Sequence, residues 1–338
     1  MNRYATHMAE KALELAISAK NLTTPNPFQP LPGKKLWWQS VDPRDFYAVP
    51  DRAPQITFHT LWKGLERTRS RFSFPSFDES PYPENNTVHG LASLAPARKS
   101  RAALIVIHGH RMRSFAALEW FAIPAARQGL DIYYLTLPYH MRRAPAGTWS
   151  GQLSLNADVQ GTALAFRQGV MDVRALISWI EQERGTPVGL AGMSLGAYTS
   201  CMTCVVDPRP RALVSILGGA SLAQIHWDGY QMGRPKRQLL DGGVTRAKLE
   251  QYWEILGPGY WKPLLPKERI LMLAGKYDPI VTPGNVEKLW HAWDKPPICW
   301  YPCGHGTIAL YYRESVSEIV RFLKTNMLNE TGVRRQAL

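Results

Sequence analysis

The chain has 338 residues, of which 45% are hydrophobic and 20% are charged. This composition is ordinary for a globular protein and excludes a wholly disordered chain, because it supplies enough apolar residues for a large core. No stretch approaches the roughly 18 consecutive apolar residues that a transmembrane helix needs. The net charge of +13 permits an anionic partner without identifying one.

Several classes of function lack support. The basic residues are spread along the chain and no zinc-finger spacing is present, so we expect no nucleic-acid partner. Four cysteines are too few for a disulfide scaffold, and Cys201 and Cys204 fall in an expected buried helix, which favours core thiols over a zinc site. Nucleotide-binding glycine loops are absent and no metal-ligand cluster stands out, so we expect no metal and no cofactor. Few cysteines and no secretory signal favour the cytoplasm.

The first 65 residues are expected to form an N-terminal extension. Within the first twenty, Ala12, Leu13, Ala16 and Ile17 repeat at helical spacing, which predicts an amphipathic helix. Residues 21–54 are rich in proline, which excludes helix and predicts an extended strap over the surface.

From about residue 66 onward, strand-like and helix-like segments alternate. Asn156 is a candidate N-cap for the longest helix, and Gly185 is its candidate stop. Strands are predicted at 67–74, 86–94, 102–107, 130–137, 187–191, 212–217, 268–274 and 297–301, and helices at 115–128, 156–183, 194–205, 283–293 and 308–325.

This alternation predicts an α/β fold with a mostly parallel central sheet and helices on both faces. The core is expected to span residues 66–218 and 267–330. Between them, residues 219–266 break the alternation and are rich in Trp and Tyr. We expect an inserted cap there, over the sheet edge where the parallel strands end. Its aromatic side chains could line a ligand pocket or form the cap's own core.

A nucleophile motif stands at the end of the strand at 187–191. Residues 192–196 read Gly-Met-Ser-Leu-Gly, with an apolar strand before them and a helix after them. In this context the G-x-S-x-G pattern predicts a sharp turn that exposes the hydroxyl of Ser194. The alternative is that Ser194 is merely a helix N-cap.

A serine hydroxyl needs a base before it can attack a carbonyl. Asp278 follows the strand at 268–274, and His305 follows the strand at 297–301. Because parallel strands end at one edge of a sheet, these side chains can meet Ser194 there. The alternatives are a turn-forming Asp278, a surface-loop His305, and Asp228 as a spare acid.

Together with the His108-Gly109 turn after the strand at 102–107, this ordered set resembles the α/β-hydrolase superfamily over about residues 66–325. The resemblance implies nucleophilic attack by Ser194, proton transfer by His305 and orientation of His305 by Asp278. It further implies an oxyanion hole from the backbone N–H groups of Leu195 and His110. The first 65 residues and the expected cap match no pattern, so no subfamily is assigned.

Basic side chains follow two of the predicted strands that lead to this edge. Arg111, Arg142 and Arg143 could clamp an anionic group of the substrate through their fork geometry. The alternative is that they pair with nearby acidic residues and shape the loops.

The expected function is that of a serine hydrolase of carboxylic esters, including thioesters, acting on a small-molecule ester that is neutral or anionic. Acyl transfer or amide cleavage by the same residues is the alternative within enzymes, since the pocket decides among them. A catalytically silent binding protein on a hydrolase fold is the alternative outside enzymes. The sequence does not indicate an oligomeric state.

Overall fold

The computed structural model describes residues 36–96, 99–229 and 233–328, together with Ala5, Met8 and Ala9. The N-terminal helix predicted over the first twenty residues therefore lies largely outside the described residues, as does the first part of the strap, residues 21–35.

Within the described residues, nine strands form one sheet in the order β1-β2-β3-β5-β4-β6-β7-β8-β9. The pairs β1–β2, β2–β3 and β3–β5 are antiparallel, and all other pairs are parallel. The mostly parallel sheet expected from the sequence is confirmed. The strands are β1 Thr57–Lys63, β2 Thr68–Pro75, β3 Thr87–Leu94, β4 Ala102–Ile107, β5 Leu130–Leu135, β6 Val188–Met193, β7 Ala212–Ile216, β8 Ile270–Gly275 and β9 Ile298–Tyr301.

Helices cover both faces of the sheet. They are α1 Pro43–Phe46, α2 Glu119–Arg127, α3 Val159–Arg184, α4 Leu195–Val206, α5 Leu222–Asp228, α6 Gly233–Asp241, α7 Arg246–Tyr252, α8 Pro283–Ala292 and α9 Tyr312–Leu323. Residues of α2 and α9 contribute to one hydrophobic cluster, and residues of α3, α4 and α8 to the other. Because both faces are covered, β4 and β5 are buried at every position, which explains their almost continuous apolar sequence.

Two local predictions outside the strap differ from the structure. No strand is expected at Thr57–Lys63 from the sequence, because this edge strand is exposed at nearly every residue and shows no alternation of burial. The long helix begins at Val159 with Asp158 as its N-cap, whose side chain accepts the N–H of Gly161. Asn156 instead accepts the N–H of Asp158, so the prediction that Asn156 caps the helix is wrong. The helix ends at Gly185 as expected, with φ 58°.

The expectation that proline excludes helix from the strap is wrong, because α1, Pro43–Phe46, lies within it, with its proline at the start of the helix, where proline is tolerated. The described part of the strap is also not merely a surface segment. Trp38, Phe46 and Tyr47 are fully or almost fully buried in the main hydrophobic cluster. The indole N–H of Trp38 donates to the carbonyl of Tyr252 at 2.8 Å, and the hydroxyl of Tyr47 donates to that of Ile255 at 3.0 Å. These aromatic side chains tie the strap to the segment between β7 and β8.

That segment is the expected cap. Its Tyr252 and Trp253 are buried in the same hydrophobic cluster as the α/β core, whereas Tyr260 is 45% exposed. The indole N–H of Trp253 donates to the carbonyl of Val159 at 2.9 Å. Several of the expected cap's aromatic residues are therefore core residues rather than pocket lining, and the cap boundaries at 219–266 stay a prediction.

Candidate active site

Ser194 lies in a tight turn between β6 and α4. Its backbone has φ 54° and ψ −118°, a conformation that residues other than glycine rarely adopt. The N–H of Ser194 donates to the carbonyl of Ile216 at the end of β7, at 2.8 Å, which holds the turn in place. Although Ser194 stands at the N-cap position of α4, its side chain makes no capping hydrogen bond to the helix, and the residue is partly exposed.

The two glycines of the motif are required by close packing. A Cβ on Gly192 would lie 2.1 Å from the carbonyl oxygen of Gly196, and a Cβ on Gly196 would lie 2.3 Å from that of Ile107. Any side chain at either position would push α4 away from the ends of β4 and β6. The G-x-S-x-G spacing is therefore explained by packing around the turn.

The structure brings together the three side chains named from the sequence. Ser194 Oγ lies 2.9 Å from His305 Nε2, and His305 Nδ1 lies 2.7 Å from Asp278 Oδ2. Asp278 follows β8 and its side chain is 1% exposed, whereas that of His305, which follows β9, is 14% exposed. With Nδ1–H donated to the carboxylate, Nε2 of His305 is the ring nitrogen that faces the hydroxyl of Ser194 and can accept its proton.

The carboxylate of Asp278 is itself held by backbone. Its second oxygen, Oδ1, accepts the N–H groups of Ile280 and Val281 at 2.8 and 2.9 Å. Both oxygens of this buried group are thus satisfied, which fixes its orientation toward His305. The spare acid considered from the sequence, Asp228, is exposed at the end of α5 and pairs with Arg246 at 3.1 Å.

The loop after β4 passes directly beside the serine. A Cβ on Gly109 would lie 3.3 Å from Ser194 Cβ and 3.3 Å from the carbonyl oxygen of Met193. His110 is the next residue, and its ring Nε2–H donates to the carbonyl of Gly151 at 2.9 Å. Burial lowers the pKa of His110 to about 3, so its ring is neutral.

Leu195 is the first residue of α4 and is buried beside the serine. The first N–H groups of a helix have no acceptor within the helix and point out of its N-terminus. The backbone N–H groups of Leu195 and His110 therefore belong to the two segments that flank Ser194.

The three arginines do not form one clamp, and the expectation that Arg143 binds substrate is wrong. Its side chain is completely buried and pairs with Asp172 at 2.8 Å. Its guanidinium also donates to the carbonyl oxygens of Asn85 and Thr136, at 2.7 and 2.9 Å. These contacts leave Arg143 no exposed atom for a substrate, so it holds the loop in place.

Arg111 and Arg142 have different surroundings. Arg111 is half-buried, and its guanidinium lies over the ring of Trp149 at 4.6 Å from the ring centre. Burial lowers the pKa of Arg111, although arginine keeps its charge at neutral pH. Arg142 is exposed after β5. Of the three, Arg111 is the one whose loop passes Ser194.

Sequence reasoning missed Asn285, a buried residue at the start of α8. Its side-chain oxygen accepts the N–H groups of Ala220 and Ser221, at 2.9 and 3.0 Å, and its amide donates to the hydroxyl of Tyr198 at 3.0 Å. Tyr198 lies one turn after Ser194 on α4. Asn285 thus links the segment after β7 to the helix that follows the serine, and no spacing in the sequence could have identified this contact.

The described part of the chain lacks two further features. Among residues 36–96, 99–229 and 233–328, no helix is long and apolar enough to cross a membrane. Over the same ranges, His, Cys, Asp and Glu side chains form no group of three or more that could hold a metal ion.

The fold and the Ser-His-Asp arrangement together define an α/β-hydrolase. A model of the family described as "alpha/beta hydrolase domain containing 18" matches residues 46–241, more than half of the chain. The protein belongs to this family.

Similar proteins include the uncharacterized protein Rv2627c of Mycobacterium tuberculosis (strain ATCC 25618 / H37Rv), which is 30% identical over 297 residues, 81% of this chain and 68% of that protein. Among solved structures, an acetyl xylan esterase from Paenibacillus sp. R4 has a TM-score of 0.62 at 13% identity, covering 82% of this chain and 91% of its own. Acetyl xylan esterase 1 from Thermoanaerobacterium sp. JW/SL YS485 has a TM-score of 0.60 at 17% identity, covering 82% and 94%. At these identities, the two structures establish the shared fold.

Proposed function

We propose that the protein hydrolyses carboxylic esters through an acyl-enzyme on Ser194. The observation that carries the proposal is the unbroken hydrogen-bond chain from Ser194 Oγ through the ring of His305 to Asp278. A partly exposed serine, a ring nitrogen within hydrogen-bond distance of its hydroxyl and a buried carboxylate behind the ring form the arrangement that activates a hydroxyl for acyl transfer.

In the first half of the reaction, Ser194 Oγ attacks the ester carbonyl while His305 Nε2 takes the hydroxyl proton. The imidazolium that forms is stabilised by the carboxylate of Asp278. The negative charge on the carbonyl oxygen is stabilised by the backbone N–H groups of Leu195 and His110. Each such donor contributes on the order of 3 kcal/mol in the transition state. His305 then protonates the leaving alcohol, and the acyl group stays on the serine.

In the second half, a water molecule replaces the alcohol. His305 Nε2 takes a proton from the water as it attacks the acyl carbonyl, and the same N–H groups stabilise the second oxyanion. Return of the proton to Ser194 releases the carboxylic acid. Every step uses groups of this chain and water, and none needs a cofactor.

The proposed substrate is a small-molecule ester, and thioesters fall within the same chemistry. Short acyl esters are the first to test, because the two similar structures named above are acetyl xylan esterases. We retain Arg111 as a candidate anchor for an anionic group on the substrate, since its half-buried charge lies on the loop beside Ser194. Arg142 stays a weaker candidate because its exposed charge is screened by water.

The test is a matched panel of acetyl derivatives: p-nitrophenyl acetate, an acetyl thioester and p-nitroacetanilide. The proposal predicts turnover of the oxygen ester and the thioester by the wild type, with loss of both activities in Ser194→Ala. An absence of turnover above the Ser194→Ala level for every ester would contradict the proposal and favour a silent binding protein.

The same panel distinguishes hydrolysis from its alternatives. Cleavage of the anilide at a rate comparable with the ester would favour an amidase. Adding a primary alcohol tests acyl transfer, because an acyltransferase forms the new ester in preference to free acetate. We expect free acetate as the main product.

A further inference from the structure

The loop after β5, residues Pro138 to Arg143, has an unusual backbone. Tyr139 has φ 63° and Met141 has φ 50°, so two non-glycine residues adopt the left-handed conformation within three positions. Such residues are uncommon, cost conformational energy and concentrate at functional sites. The residue between them, His140, has an extended backbone and a completely buried side chain.

Both ends of this loop are fixed by buried polar groups. At the first end, the N–H of Tyr139 donates to the side-chain oxygen of Asn85 at 2.8 Å. At the other end, the buried ion pair between Arg143 and Asp172 holds the chain, and Arg143 also donates to the carbonyl of Asn85. These contacts sustain the strained backbone and leave His140 little freedom to move.

The ring of His140 points at the loop beside the serine. Its Nδ1–H donates to the carbonyl of Pro138 at 2.8 Å, and its Nε2 accepts the backbone N–H of Arg111 at 3.3 Å. The ring centre lies 5.6 Å from that of His110. On another side, a Cβ on Gly151 would lie 2.4 Å from His140 Nε2, so the ring is enclosed.

The contact with Arg111 bears on the expected oxyanion donor. Arg111 itself has φ 65°, so its backbone also adopts a positive φ that residues other than glycine rarely adopt. Its N–H belongs to the peptide group that joins it to His110, and the N–H of His110 lies on the preceding peptide group. Without an acceptor for the Arg111 N–H, Arg111 can relax toward negative φ and rotate this peptide group, which changes the direction of the His110 N–H.

We propose that His140 is a positioning residue for the loop after β4, which carries the proposed oxyanion donor His110. By accepting the backbone N–H of Arg111, His140 holds this loop in its reactive conformation. The inference rests on the proposed esterase function. The role of His140 differs from the roles proposed for Ser194, His305 and Asp278. His140 touches no substrate and acts through the peptide group that joins His110 to Arg111. The role requires a neutral ring, because Nε2 must keep its lone pair.

The test compares two substitutions of His140 in the full chain with p-nitrophenyl acetate as the substrate. His140→Phe keeps an aromatic ring but removes the acceptor, and His140→Gln offers an amide oxygen to the same N–H. Because oxyanion stabilisation acts on the transition state, we expect His140→Phe to lower kcat about tenfold to hundredfold with KM within about threefold. His140→Gln is expected to recover most of the lost kcat.

A second readout separates positioning from general loss of structure. A trifluoromethyl ketone adds to the serine and places a charged oxygen where the oxyanion forms, so its affinity should fall in His140→Phe by about the same factor as kcat/KM. Ile132→Val is the control for destabilisation, because it removes one buried methyl group in the middle of β5. It is expected to lower Tm without changing kcat.

The outcomes are distinct. Equal kcat for His140→Phe and Ile132→Val would overturn the positioning role and leave the esterase proposal standing. Loss of kcat in His140→Phe with unchanged affinity for the trifluoromethyl ketone would also overturn it. A wild-type protein without ester turnover would overturn the proposed function, and the positioning role with it.

Discussion

The two sides of the candidate active site are built in different ways. On one side, Ser194, Asp278 and His305 each follow the end of a parallel strand and meet through two hydrogen bonds of 2.9 and 2.7 Å. On the other side, the loops after β4 and β5 are held by buried histidines, a buried arginine and left-handed residues.

The positions of some side chains follow from where the strands end, whereas the positions of others follow from packing. The sheet topology alone brings the side chains of Ser194, Asp278 and His305 to one edge, since parallel strands end together there. We call these three residues the triad side of the site. The loops after β4 and β5, which we call the loop side, are not positioned by strand ends in this way. The direction of each of their side chains depends on distant partners such as Asn85 and Asp172. We therefore expect substitutions on the triad side to affect chemistry first, and those on the loop side to affect stability or positioning first.

The largest expected effect is on the triad side, in Asp278→Asn. This change keeps the shape of the residue but removes the charge that holds His305 in its reactive tautomer, so kcat should fall by about 10⁴-fold. The measurement is steady-state hydrolysis of p-nitrophenyl acetate. Asp228→Asn is the matched control, because Asp228 pairs with Arg246 at the surface, and its kcat should match the wild type. A similar loss of kcat in both variants would contradict the specific role proposed for Asp278.

On the loop side, Arg143→Met should act through stability. It leaves Asp172 buried without its cationic partner, which typically costs about 3–5 kcal/mol in the free energy of unfolding. Urea unfolding monitored by tryptophan fluorescence measures this loss. Arg142→Met changes an exposed side chain and should stay within about 0.5 kcal/mol of the wild type. If the two variants are equally stable, the buried pair does not hold the loop.

The buried histidines of the loop side predict a dependence of stability on pH. Burial lowers the pKa of His108 to about 4 and that of His110 to about 3, and it holds the pKa of His140 well below its usual value. Arg111 and Arg143 face this group and oppose its protonation further. Below about pH 6.5 the unfolded chain therefore binds protons that the folded chain does not, and stability falls as pH decreases.

Near pH 5, each such histidine contributes up to about 1.4 kcal/mol of lost stability per pH unit. Urea unfolding between pH 6.5 and 5 measures the slope, and His140→Gln should reduce it by about one proton. An unchanged slope in that variant would mean that His140 is not held neutral by the fold.

The smallest expected effect concerns substrate choice. If Arg111 anchors an anionic group, Arg111→Met should raise KM for the hemisuccinate ester of p-nitrophenol about tenfold, because a hydrogen bond to a charged group is lost. The KM for p-nitrophenyl acetate should change little. Equal changes for both esters would remove Arg111 as an anion anchor.

Much of the fold was predictable because its signals are local. The buried strands β4 and β5 are apolar at nearly every position, and G-x-S-x-G has a packing reason at both glycines. Strand β1 was missed because an exposed edge strand carries no burial pattern. Arg143 was misassigned because a sequence shows that a loop is basic but not that its guanidinium turns inward to Asp172.

The same limit applies to His140. The sequence shows a histidine after a predicted strand, but the role proposed for its ring depends on a hydrogen bond from the backbone N–H of Arg111, 29 residues earlier. When a side chain acts through a backbone contact with another loop, no residue spacing in the sequence predicts that contact.

The central claim is that Ser194 is an activated nucleophile, and intact-mass measurement after incubation with a fluorophosphonate probe tests it most directly. We expect one adduct per chain in the wild type and none in Ser194→Ala. A wild-type protein that gains no mass, or a Ser194→Ala variant that gains the same adduct, would contradict it.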